Sequence, residues 1–308
     1  MTKARRRGTH KPRIAPYAFL APAIVLFTLL VLVPIGYAAY LSLRKVKVSG
    51  LGLGRNARTE IFAGLENYRE ALTDGDLWSG ALRVLGYGLV LIPTMLGLAL
   101  LFALLLDHPK TRMRRFTRIS IFLPYAVPAV IASLLWGFLY LPAVSPLNRI
   151  LAELGLPEPN VLDTGSVFYA VANIGLWGGV GFNMVVLFTA LRAIPPELYE
   201  QARIDGCSEW QIATRIKIPL LFPALIMTTV FTMIATLQVF SEPVTLRPLS
   251  NSISSSWTPL MKVYQDAFAR NDIYSAAATS VVIAFLTLVL SFGFLRLVAA
   301  RAFAQERS

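Results

Sequence analysis

Few side chains in this sequence could carry out covalent chemistry. The two histidines, His10 and His108, lie far apart in basic segments, and the single cysteine, Cys207, permits neither an internal disulfide nor a cysteine-based zinc site. No metal site and no nucleophile–base pair is expected. No G-x-x-x-x-G-K-[ST] sequence occurs, so the chain has no phosphate cradle for ATP. GLGLGR at Gly50–Arg55 is glycine-rich, but it follows a long apolar run and reads as a loop. The polar residues that could instead bind a solute or a partner fall into two groups. Asn173 and Trp177 are four residues apart, as are Gln238 and Glu242, and each pair sits inside or at the edge of an uncharged run. Asn183 lies further along the same run, on a different helical face from Asn173 and Trp177. An aromatic plate beside amide groups suits a sugar, whose C–H face stacks while its hydroxyls hydrogen-bond. Helix–helix hydrogen bonding by Asn173 and Gln238, packing by Trp177 and end-capping by Glu242 are the competing readings. The second group is EQARIDGCSEWQIATRIKIP, Glu200 to Pro219, in which Glu200, Asp205 and Glu209 stand against Arg203, Arg215 and Lys217 around a central Gly206.

The elements that must position these residues are membrane spans. Of the 308 residues 56% are hydrophobic and 15% are charged, against roughly 25% charged in a soluble domain. Mean hydropathy is +0.60. Six charge-free runs stand out: Ile14–Leu43, Val84–Leu106, Ile119–Asn148, Thr164–Leu191, Ile218–Ser241 and Ile273–Leu295. Each exceeds the ~20 residues that a helix needs to cross the hydrocarbon core. The prolines within them (Pro34, Pro93, Pro124, Pro128) are tolerable in lipid, where neighbouring helices satisfy the freed carbonyls. The fold class read from this pattern is all-α, a polytopic membrane protein with six transmembrane helices. Residues 1–17 form a basic segment, 18–300 the membrane domain and 301–308 a tail.

The net charge of +12 could point to nucleic acid or to a membrane surface, and the placement of the charges favours the membrane. With the N-terminus in the cytoplasm, the cytoplasmic segments hold 18 Lys and Arg and the outer ones 10, while the acidic residues divide about 6 to 11. The positive-inside rule then puts both termini in the cytoplasm, although Arg44, Lys45 and Lys47 directly follow the first span on the outer side. MTKARRRGTHKPR reads as a basic topogenic flank, so no nucleic-acid partner is expected, and the first run is too long for a signal-peptide core.

The Glu200–Pro219 stretch cannot lie in lipid, because six charged residues at roughly 2.5–3.5 kcal/mol each would cost about 15–20 kcal/mol. It belongs to a cytoplasmic loop, 192–219, and its residues predict order. Pro195 and Pro196 suit a first helical turn, and ELYEQARID continues it with a Glu200–Arg203 pair. Gly206 can end that helix in the left-handed region, and Ser208 with Gln211 forms a capping-box start for a second helix that sets Trp210, Ala213, Ile216 and Lys217 along one side. Such a pair could lie flat on headgroups. A plain connector, however, needs only a few residues, so a partner-docking surface is the alternative reading.

This stretch resembles the cytoplasmic loop of ATP-binding-cassette importer permeases, whose pattern is E-A-A-x3-G-x9-I-x-L-P. Here Glu200-Gln201-Ala202 precedes Arg203–Asp205 and Gly206, and nine residues later come Ile216-Lys217-Ile218-Pro219. Gln201 and Ile218 are mild departures. ALRAIPPELYEQARIDG, YAFLAPAIVLFTLLVLVPIGYAAYLSL, FAGLENYREAL and ISIFLPYAVPAVIASLLWGFLY resemble the carbohydrate-uptake branch, and in particular the first of two non-identical permeases. The LTGGGP often found after the fifth span in that branch is absent, and VTLRPLSNSISSSWTPL stands there instead. The resemblance implies a permease fold with a cytoplasmic coupling helix in a bacterial or archaeal plasma membrane. It implies as partners a second homologous permease, two ATPase subunits that bind ATP and Mg, an extracytoplasmic substrate-binding protein and a sugar, with no cofactor in this chain. Glu200 would be the polar anchor of the loop or of its ATPase contact, with Asp205 beside the Gly206 turn. Ala202 would permit close packing, and Ile216, Ile218 and Pro219 would fix the second helix to the fifth span.

Two other classes compete with this reading. A self-sufficient secondary transporter would want ionisable residues in the centres of the spans or an internal repeat, and neither is visible. A membrane enzyme would need reactive groups near one face, and His10, His108 and Cys207 offer little. Within the importer reading, a glycerol-phosphate substrate would favour Lys or Arg in the path, and none lies inside the runs.

Overall fold

A computed structural model describes residues 15–48 and 58–305. The GLGLGR segment, most of the basic N-terminal segment and the last three residues lie outside that range. Five helices are long and apolar enough to cross a membrane: Tyr17–Ser42, Gly75–Asp107, Val167–Arg192, Phe222–Leu249 and Ile273–Leu297. A bent pair, Arg114–Ala126 and Ala129–Tyr140, meets at 96° and, counted as one broken span, makes six. The spans alternate in direction, so Asp107, Arg192 and the Glu200 loop share one end of the bundle, here called the loop end. The chain between the first two spans shares the other.

The third charge-free run is therefore not one straight helix, as its length and composition predict. Pro124 and Pro128 stand four residues apart, and each removes a backbone donor. The helix tightens to a 3-10 turn at Leu123–Ala126 and restarts after Pro128. The elbow seats against Gly181 of the fourth span. A Cβ there would lie well inside van der Waals contact of the Ile121 and Phe122 backbones. Backbone cannot swing away as a side chain can, so Gly181→Ala is expected to cost about 1–3 kcal/mol. A lowered melting temperature of the detergent-solubilised protein would report it, and an unchanged one would contradict this seating.

The fifth span is broken too. Its helix runs Phe222–Leu237, pauses through Gln238–Phe240, and continues as a short helix, Ser241–Leu246. The buried Leu246, with Leu249, reaches Gly137 of the third span, where no Cβ obstructs. The second, fourth and fifth spans carry the core. Ala99, Ala103, Met184, Leu187 and Leu191 pack toward the loop end, and Tyr87, Leu91, Val171 and Ile174 pack toward the other. Small residues bring these backbones close, as is usual between helices in lipid.

At the other end, a feature absent from the sequence reading follows the first span. Strand β1 (Arg44–Val48) pairs antiparallel with β2 (Arg58–Phe62), with Arg44 opposite Phe62 and Lys45 opposite Ile61. Two of the three cations that follow the first span, Arg44 and Lys45, are paired with carboxylates there. Lys45 reaches Glu70 at 2.7 Å and Glu66 at 3.2 Å, and Arg44 reaches Glu60 at 3.5 Å. A second ionic group on this end holds Lys262, which is buried and bonded to Asp266 at 2.6 Å and Asp74 at 2.9 Å. Although burial opposes it, these two carboxylates hold the Lys262 ammonium above its ordinary pKa.

Candidate functional site

Between the second, fourth and fifth spans and the elbow of the third lies a cavity of about 530 Å³. The breaks explain why it exists. Interrupting the fifth helix at Gln238 turns Gln238, Ser241 and Glu242 onto its wall, and the proline elbow brings Tyr125 there, stacked on Phe182 at 4.9 Å between centroids. Gln238 and Glu242 thus meet at the cavity because the chain bends between them. The continuous helical face expected from their spacing does not form. Asn183 lies on the same wall, buried. Its amide donates to the Gly179 carbonyl at 3.0 Å and to Met95 Sδ at 3.3 Å, and its Oδ1 accepts from Thr232 Oγ1 at 3.3 Å. Tyr87, Phe231, Thr232 and Thr236 complete the part of the lining that can stack or hydrogen-bond. Among the described residues the wall carries one carboxylate, Glu242, and neither lysine nor arginine.

Asn173 and Trp177 face elsewhere. Asn173 donates to Tyr140 Oη at 2.8 Å, and the Trp177 ring stands edge-on to Trp136 at 6.0 Å. Both bind the fourth span to the third, and neither is among the residues lining the cavity. The sequence reading missed Tyr125, Phe182 and the threonines. Thr228, Thr232 and Thr236 recur every four residues and are all buried, which marks one polar stripe along the fifth span. The approach of Tyr125 depends on the elbow and leaves no local signal.

At the loop end the helix–glycine–helix forms. Pro196–Ile204 is the first helix, with proline in its first turn. It ends in a Schellman motif, in which the Gly206 amide donates to the Arg203 carbonyl at 3.1 Å and the Cys207 amide to the Ala202 carbonyl at 2.9 Å. Gly206 has φ +81°, which only glycine adopts freely. The capping box is present: Ser208 Oγ accepts from the Gln211 amide at 3.3 Å, and Gln211 Oε1 accepts from the Ser208 amide at 2.7 Å. The second helix passes through a π-helical turn, Ala213–Lys217, and runs on into Ile218–Leu220, so Ile216, Ile218 and Pro219 lie at the entry to the fifth span.

Two local expectations change in three dimensions. Arg203 pairs with Glu209 across the hinge at 2.9 Å instead of with Glu200. That bond lowers the Glu209 carboxyl below its usual pKa. On the second helix Ile212 is the buried anchor while Trp210 is 76% exposed. The π turn and the bundle's position select a face that simple periodicity does not. On the first helix Ala202 is buried, whereas Glu200, Gln201 and Asp205 are exposed and Ile204 is 85% exposed. The loop is fastened to the bundle by Lys217 and Asp107, joined at 2.6 Å with both side chains 6% exposed. Tyr199 of the first helix stacks its ring under Lys217 Nζ at 4.8 Å, and burial raises its hydroxyl pKa, so it stays a donor at neutral pH.

A polytopic helical bundle with two broken spans around a central cavity, and a rigid two-helix loop offered at one end, is the architecture of a transport permease. The chain belongs to the family of binding-protein-dependent transport system inner membrane components, which matches residues 95–305. It is 28% identical over 289 residues to the sn-glycerol-3-phosphate transport system permease protein UgpA of Salmonella choleraesuis (strain SC-B67), covering 92% of this chain and 94% of that protein. It is 27% identical over 289 residues, with the same coverage, to UgpA of Escherichia coli O157:H7. A solved bacterial ABC transporter involved in the import of the acidic polysaccharide alginate contains a chain of the same fold, with a TM-score of 0.78, 20% identity, and coverage of 93% of this chain and 95% of that one. The MetNI methionine ABC transporter shares it more distantly, at a TM-score of 0.52 and 16% identity over 76% of this chain and 98% of that one. The protein is a multi-pass permease subunit of an ABC-type importer.

Proposed function

We propose that this chain forms half of the translocation path for a neutral, hydroxylated solute, of which a sugar or oligosaccharide is the natural class. The observation that carries the reading is the cavity wall, where the rings of Tyr87, Tyr125, Phe182 and Phe231 stand beside the amides and hydroxyls of Asn183, Gln238, Thr232 and Ser241, with neither lysine nor arginine among its described residues. Stacking and hydrogen bonding recognise a sugar, whereas a phosphate or uronate calls for lysine or arginine. The solute would therefore differ in charge from the glycerol-phosphate and the acidic polysaccharide alginate named for the similar proteins.

A second permease would complete the path, and an extracytoplasmic binding protein would deliver the solute. Two separate ATPase chains, holding ATP and Mg, would grip the exposed side of Pro196–Ile204 through Glu200, Gln201 and Asp205. ATP binding then shifts a two-state equilibrium through that helix, with both termini of this chain in the cytoplasm. Purification in mild detergent from the native membrane is expected to bring down an ATPase. Right-side-out vesicles loaded with ATP and supplied outside with the binding protein are expected to take up a neutral oligosaccharide, and sugar phosphates are expected not to compete. Gln238→Leu should lower the maximal uptake rate by roughly three- to tenfold, the worth of one hydrogen bond. Nucleotide-independent transport by the chain alone, or full competition by a sugar phosphate, would overturn the proposal.

A further inference from the structure

A second cavity, of about 290 Å³, opens at the loop end between the ends of the second and fourth spans, the start of the third and the first helix of the loop. Its wall is as cationic as the central cavity is not. Arg114, Arg192, Arg203 and Lys217 line it, against the carboxylates of Asp107 and Glu200. Two of these cations are committed, Lys217 to Asp107 and Arg203 to Glu209, which leaves Arg114 and Arg192. Arg192 comes no nearer to Asp107 than 3.9 Å, and its side chain is 62% exposed. Arg114 spends one terminal nitrogen on the His108 carbonyl at 2.6 Å, but its Nε is buried with no partner among the described residues. Tyr199 Oη, on the same wall, is also buried with no partner. A buried donor left unpaired is costly, and two such donors beside a surplus of guanidinium groups call for an acceptor with several oxygens and a negative charge.

We propose that this cavity is a phosphate-binding site, filled by the phosphate of an anionic phospholipid headgroup or by free phosphate, in which Arg114, Arg192 and Tyr199 are the ligands. Its depth fits either source, because it lies where apolar spans give way to the charged loop. Its consequence is mechanical. Arg114 belongs to the third span, Arg192 to the fourth and Tyr199 to the coupling helix, so one bound phosphate ties the helix that meets the ATPase to two walls of the permease. The site does not depend on the identity of the transported solute.

The test is binding to the full chain, purified with its accompanying subunits into nanodiscs and kept free of nucleotide. In pure phosphatidylcholine discs, inorganic phosphate is titrated against chloride at constant ionic strength. In parallel, phosphatidylglycerol replaces part of the phosphatidylcholine, and native mass spectrometry counts retained lipid. A melting-temperature rise in the first arm assigns free phosphate, and a rise with retained phosphatidylglycerol in the second assigns the headgroup. Tyr199→Phe removes a single hydroxyl and keeps the ring against Lys217, and Arg114→Gln removes the guanidinium. Each is expected to weaken binding by about tenfold or more, as befits a hydrogen bond to a charged group. No response in either arm, or an undiminished response in Tyr199→Phe and Arg114→Gln alike, would overturn the site. Because the readout is binding, that result would leave the solute reading untouched, and a charged solute would leave this site untouched.

Discussion

Gly206→Val is expected to cut ATP-driven uptake by about one to two orders of magnitude while leaving the protein in the membrane at wild-type abundance. The φ of +81° at this position is the reason. A β-branched residue held in the left-handed region costs of order 1–3 kcal/mol, and the hinge can avoid that cost only by unwinding the turn. The space around the glycine is open, so no clash contributes and the bundle core is untouched. What changes is the angle at which Pro196–Ile204 leaves the second helix, because the Gly206 and Cys207 amides would no longer reach the Arg203 and Ala202 carbonyls. A shift of 1–3 kcal/mol in a two-state coupling element corresponds to a 5- to 150-fold change. Gly206→Asn is the control, since asparagine enters the left-handed region more easily and should retain more uptake. The measurement is solute uptake in vesicles beside an immunoblot of the membrane fraction. Wild-type uptake by Gly206→Val would remove the hinge from the mechanism.

Asp107→Ala should destabilise the subunit by about 3–5 kcal/mol, the usual effect of leaving one member of a buried ion pair alone. Lys217 is 5% exposed, and without Asp107 its ammonium would keep only the Tyr199 ring. Arg192→Ala serves as the contrast. Its guanidinium is largely in solvent and 3.9 Å from the same carboxylate, so its loss should change stability by less than about 1 kcal/mol. The double variant Asp107→Leu with Lys217→Met removes both charges at similar volume and should recover most of the lost stability. Melting of the detergent-solubilised protein reports all three. Equal losses in Asp107→Ala and in the double variant would mean that the carboxylate acts through something other than this pair. The pair joins the end of the second span to the entry of the fifth, so uptake in Asp107→Ala should fall further than the loss of folded protein explains.

Several features follow from local chemistry and are legible from residues alone. Six runs of more than 20 uncharged residues point to membrane helices, because backbone groups in lipid must bond within their own segment. The hinge was equally legible. Pro196, Gly206, Ser208 and Gln211 act on their immediate neighbours, and a proline at a helix start, a left-handed glycine and a capping box need no distant partner to form. Tertiary structure decided what depends on approach. Whether Pro124 and Pro128 merely kink the third span or fold it through 96° was set by the seat at Gly181. Whether Asn173 or Asn183 meets the cavity was set by which neighbour each helical face found, the third span for Asn173 and the fifth for Asn183. Asp107 and Lys217 are 110 residues apart, and only packing makes their charges partners. Periodicity fixes which residues share a face of a helix, but the direction of that face is a property of the bundle, and it is the bundle that chooses which polar groups line the cavity.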